Sequence, residues 1–258
     1  SKDKLYKYRS GSTRDIEALM NNQFYASSIE KLNDIHEGKI VIDNQEIKLL
    51  DLLVKNNGSS FNISIEKNLE DFIRIYKKSG VYSLSKCYNN ELLWAYYADS
   101  HKGFCIEYDL EILLKIKSVN LNCIVQYDEN LPKLNFSSVF HHNSISKLTK
   151  LILGTKSKRW LHEDEIRIII NHFGKVEYDA RAVKAIYFGF KMPKTYLDLH
   201  ENNMKLPNEL SPVCQEQVME AMKGRGIKYF QMKLKSNSYE FEYTEIEDLF
   251  KNTNTRIF

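Results

Sequence analysis

Apolar positions along the chain alternate between two periods. In LYKYRS (5–10) and QFYASS (23–28) apolar and aromatic residues sit between polar turns, which predicts two short strands. Between them Ser12 and Thr13 mark the start of a helix reaching about Asn21. Ile, Leu and Phe recur at helical spacing over 45–57 and 66–79, on either side of the breaker NNGSS, and predict a helical insert or cap over 45–79. GVYSLSK (80–86) reads as a strand, residues 91–100 as a helix stopping near Gly103, and FCIEYDL (104–110) as a further strand. A helix of about 140–154, the β-branched run 166–170, the strand-like KAIYFGF (184–190), a helix from Ser211-Pro212 to Gly224 and a hairpin over 227–246 complete the pattern. It predicts an α+β fold with a largely antiparallel or mixed sheet, flanking helices and the helical insert, within a single domain of residues 1–258.

The segment KSKRWLHEDEIRIII (156–170) carries the densest chemistry. Strand alternation places Glu163, Glu165 and Arg167 on one face and Ile166, Ile168 and Ile170 on the other. Two acids on one face raise each other's pKa unless a cation or a ligand compensates them. Ion pairs to Arg159, Arg167 or a lysine are the structural way to do so. Trp94, Tyr97 and His101 share one side of their helix if it runs through His101, as core packing or as a stacking platform. Asn33, Asp34 and Glu37 sit in a turn-rich loop that such residues stiffen through local hydrogen bonds. The adjacent His141 and His142 diverge and suit solvent.

Charge narrows little: 37 basic against 34 acidic residues leave a net +3, with no global field for nucleic acid or membrane. The four cysteines (Cys87, Cys105, Cys123, Cys214) have neither disulfide-framework nor zinc spacing. Without a signal-like apolar stretch at the start or a run of membrane-spanning length, a reducing, cytoplasmic location is expected.

The blocks LYKYRS, FYASSIEKLNDIHEG, SLSKCYNNELLWAYYADSHKGFCIEYD, KSKRWLHEDEIRI and IYFGF resemble, in order, the signature blocks of the bacterial domain-of-unknown-function family 2971, over roughly residues 5–190. One departure is Ile35, where the family usually places proline after Asn-Asp. The family implies no reaction. The order of Arg9, Ser83-x-Ser85 and Glu163-x-Glu165 further resembles the Arg, Ser-x-Ser, Glu-x-Glu pattern of mono-ADP-ribosyltransferases and implies their fold and their use of NAD. That resemblance makes Arg9 a ligand for NAD phosphate or ribose, with a structural salt bridge to Glu163 or Glu165 as its alternative. It makes Ser83, with Ser85, a support for the acid. Glu165 becomes the stabiliser of the nicotinamide ribose and Glu163 the activator of the acceptor, with Arg167 beside them. Trp94, Tyr97 and His101 complete the expected NAD site, and Lys7 or His101 is expected at its edge. A toxin or phage-defence effector, acting through a nucleotide-like small molecule on a nucleic-acid or protein acceptor, is the expected role. Two rivals remain open: a Mg²⁺-dependent nuclease or phosphoesterase using Asp34, Glu37, Glu163 and Glu165, and a non-catalytic sensing or interaction module.

Overall fold

The computed structural model describes residues 4–42, 73–134, 144–200 and 208–251, with positions 45, 48 and 52. Residues 73–78 and those three positions are helical and Ser79 follows the helix; the rest of the 45–79 segment, and His141-His142, lie outside the described residues.

The framework is a mixed, mostly antiparallel sheet of ten strands flanked by helices. Its centre is β4 (Gly80–Ser85), bordered along one edge by β10 (Glu165–Ile170), which in turn pairs with β6 (Val119–Ile124). Along the other edge β4 is shared. Its first residues pair with β2 (Gln23–Ser28) through Ser27↔Val81 and Ser28↔Gly80, and its last with β1 (Lys4–Arg9) through Tyr6↔Ser85. The middle of β4 therefore faces a gap where β1 and β2 diverge. β1 is held away from β4 because it pairs along its whole length with β5 (Phe104–Asp109). Beyond β5 follow β12 (Val183–Phe188), then β13 (Lys228–Leu234), parallel to β12, and β14 (Phe241–Ile246).

Strand alternation feeds a core on each side. Leu5, Leu84, Ile106, Ile166 and Ile168 join the larger one, against Leu19 of α1 (Thr13–Met20). Tyr6, Tyr8, Cys105 and Tyr187 join a second under Leu93 and Trp94 of α2 (Glu91–Tyr97). α1 starts where the sequence placed it, because Ser12 and Asp15 form a reciprocal capping box.

α2 ends three residues earlier than the expected 100. Asp99, Ser100 and His101 are consecutive left-handed residues (φ 45°, 52° and 72°), which turns the chain sharply into β5. Gly103 makes that turn feasible. A Cβ there would lie 2.0 Å from the carbonyl oxygen of Arg9, while the Gly103 carbonyl accepts from the Gly189 amide at 2.9 Å. A Cβ on Gly189 would in turn meet the His101 carbonyl at 2.2 Å. The HKG and YFGF blocks thus meet as close-packed backbone at the end of β1. Gly103→Ala is expected to cost about 3 kcal/mol or more, because the obstruction is main chain and cannot rotate away; thermal unfolding measures it.

Candidate active site at the sheet split

The gap between β1 and β4 opens into a cavity of about 320 Å³. Lys7 reaches across it, donating from Nζ to the Ser83 carbonyl at 2.8 Å, where a ladder hydrogen bond would otherwise run. Burial, then the charge of Arg9, lowers the Lys7 pKa to about 8.

One wall is a buried charge cluster. Arg167, 0 % exposed, donates from Nε to Glu165 Oε1 at 2.8 Å, from Nη1 to Glu37 Oε2 at 2.7 Å and to the Leu153 carbonyl at 2.8 Å, and from Nη2 to Glu37 Oε1 at 2.5 Å. Lys156 sits among three carboxylates, bonded to Glu163, 3.2 Å from Glu165 and 3.8 Å from Glu37. Tyr97 donates to Glu163 Oε1 at 2.6 Å and accepts from Asn33 Nδ2 at 3.0 Å. Burial would raise the Glu165 carboxyl, but Arg167, with Lys156 and Ser83, overcomes it and holds the group at about 2. Glu165 is ionised across the physiological range. Burial and the bond to Glu163 push the Tyr97 hydroxyl up, so it remains a donor.

Residues 93–168, from α2 through β10, match the family described as protein of unknown function (DUF2971). The match is narrower than the resemblance read over roughly 5–190: the blocks LYKYRS, FYASSIEKLNDIHEG and IYFGF lie outside it. No curated protein and no solved structure matches the chain. The matched span contains Tyr97, Lys156, Glu163, Glu165 and Arg167, while Lys7, Arg9, Glu37 and Ser83 lie outside it.

Of the residues expected in the NAD site, Lys7, Arg9, Ser83, Ser85, Tyr97, Glu163, Glu165 and Arg167 line the cavity. Two do not. Trp94 is 1 % exposed in the core behind the sheet, its Nε1 donating to the Tyr88 carbonyl at 2.8 Å and its ring edge-on to Tyr8. His101, off the end of the shortened helix, packs between Phe190 and Phe241. Their places in a cofactor site are corrected accordingly: Trp94, inside the helix, is buried in the second core, and His101 lies beyond the helix end, where the left-handed run breaks the spacing.

Two further expectations change. Glu163 ends a 3-10 helix (Lys158–Glu163), and Asp164 is left-handed (φ 41°), so Glu163 reaches Glu165 by a turn and not by strand alternation. Arg9 and Glu165 stand on opposite faces by register, since Tyr6 is opposite Ser85 and Ser85 opposite Glu165; they share the cavity because the split passes through the sheet. Arg9 is committed to Asp15, which accepts from both its Nε and Nη2. The salt bridge foreseen from Arg9 to Glu163 or Glu165 does not form; the partner is Asp15, six residues on at the start of α1.

Lys156 completes the cluster without a sequence signal that singles it out among the lysines, and Glu37, grouped with Glu163 and Glu165 only as a metal ligand, enters it as a partner of Arg167. Lys156 lies on a three-residue strand (Thr155–Ser157), and Glu37 is 130 positions from Arg167. The cavity lining holds six cationic side chains, Lys7, Arg9, Arg14, Lys31, Lys156 and Arg167, against Glu37, Glu163 and Glu165. Counting Asp15 with Arg9, a surplus of two positive charges remains for an anionic ligand. Among the described residues no group of three or more His, Cys, Asp or Glu is placed to hold a metal. The acids of the cluster meet an ammonium and a guanidinium where a divalent cation would sit, so they do not fit the Mg²⁺ reading. No helix among the described residues is long and apolar enough to cross a membrane.

Proposed function

We propose that the cavity at the sheet split binds a nucleotide and that the protein is an ADP-ribosyltransferase-like enzyme consuming NAD. The observation that carries this reading is the meeting of Ser83, Glu163 and Glu165 with a surplus of cations in one cavity. A dinucleotide has the matching polarity. Its diphosphate is drawn to Lys7, Arg14 and Lys31, and its nicotinamide ribose to the carboxylates. NAD supplies a glycosidic carbon–nitrogen bond whose cleavage builds positive charge on the sugar. Glu165, ionised and fixed by Arg167 and Lys156, stabilises that charge and is not a proton donor. Glu163, held by Tyr97 and Lys156, is placed to take a proton from an acceptor. Arg9 anchors α1 through Asp15, and Lys7 takes the anion contact that the family resemblance gave to Arg9. We place the activity in the cytoplasm, where the four free thiols stay reduced, in a toxin or phage-defence effector.

Calorimetry with NAD, alongside assay of released nicotinamide, tests the reading. Lys7 is charged below about pH 8 and neutral above it, so NAD affinity is expected to fall several-fold as pH rises from 7 to 9. Lys7→Arg should flatten that dependence, because arginine stays protonated. NAD bound but never cleaved would leave a sensing module, and no binding at all would end the reading.

A further inference from the structure

A second cavity, about 640 Å³, lies behind the first and shares Asn33 and Lys156 with it. Lys156 is the partition: its Nζ holds Glu163 and Glu165 and also lies 4.8 Å from the centroid of the Trp160 ring. The wall on this side differs in kind from the first cavity's. Trp160, His162 and Tyr96 form an aromatic row, with centroids 6.0 Å and 6.4 Å apart. At the rim Tyr96 is 65 % and Ile35 79 % exposed. Large apolar groups exposed together around a concavity mark a binding surface.

Charge is nearly balanced here. The lining carries Asp34, Asp128 and Glu129 against Lys156 and Arg159; with Lys156 claimed by its carboxylates and Glu129 paired with Lys158, Arg159 stands against two acids, so there is no cationic surplus to concentrate phosphate as in the first cavity. A planar heteroaromatic ring suits such a wall, with faces to stack and an edge to hydrogen-bond to the Asn33 amide.

We propose that this second cavity binds a nucleobase and is the acceptor subsite, so that a nucleic-acid base receives ADP-ribose. The binding half of the inference stands on the cavity alone, and the transfer half rests on the transferase reading. In the transfer, the bond from the ribose C1′ to the nicotinamide nitrogen breaks, and its electron pair leaves with nicotinamide. A bond forms between that carbon and a ring or exocyclic nitrogen of the base, whose proton passes to the Glu163 carboxylate and then to water.

The chain has two tryptophans, and Trp94 is sealed in the core, so ligand-induced fluorescence changes report on Trp160. Titration of the full chain with adenosine, uridine and a short single-stranded oligonucleotide is expected to give saturable quenching. Tyr96→Ala, at an exposed position, should weaken it about 5-fold or more with an unchanged circular dichroism spectrum. No saturable quenching by any of the three probes, or an indifferent Tyr96→Ala, overturns the binding site. With NAD added, an ADP-ribose mass on the oligonucleotide supports the acceptor assignment, and one found only on protein overturns it. Quenching without NAD consumption upholds the second site and sinks the transferase reading alone.

Discussion

Arg167→Met is expected to destabilise the protein by about 3–5 kcal/mol, the range for removing one partner of a buried ion pair. The guanidinium is fully enclosed and serves Glu165, Glu37 and the Leu153 carbonyl at once. Methionine fills much of the same space but offers no donor. Two carboxylates and a carbonyl then stay in a dry site with Lys156 as their remaining cation. Urea unfolding measures the loss. The double variant Arg167→Met with Glu37→Gln should recover part of it, because one uncompensated charge goes with the second substitution. A loss under about 1 kcal/mol, the level of a solvent-screened pair, would show that water reaches the cluster.

Glu165→Gln is expected to lower NAD turnover by about 10² or more, the scale of losing one preorganised electrostatic group. Its stability should fall too, by roughly 1–3 kcal/mol, since Arg167 and Lys156 lose their charged partner at a site 3 % exposed. From the sequence, these two results look mutually exclusive. The buried geometry makes them joint, so turnover must be measured below the variant's own unfolding temperature. Acid unfolding separates the stability part. The Glu165 carboxyl is held at about 2 against its ordinary 4.5, so its contribution is fully present above about pH 4.5 and lost as pH falls toward 2. The glutamine variant should show a flatter profile over that range. Unchanged turnover in a destabilised variant would make Glu165 a scaffold residue.

The sequence alone determined the α+β class, most element positions and the pairing of Glu165 with Arg167, because these follow from short-range rules. Residues two apart on a strand share a face whatever surrounds them, and a Ser-x-x-Asp box caps a helix locally. The helix end after Tyr97 was harder to read. Asp99, Ser100 and His101 take left-handed conformations where Gly103 presses against the end of β1 and Gly189 against the turn itself, contacts between distant segments. Only the tertiary structure decided which lysine and which third acid join Glu163 and Glu165. Lys156 comes from a short strand outside the main sheet and Glu37 from a loop 130 residues away, and a charge's partner is set by proximity in space, on which periodicity is silent. The cavity arose in the same way. β4 shares one edge between two strands drawn apart by other pairings, and that split joins Lys7, on one face by register, to Glu165 on the other.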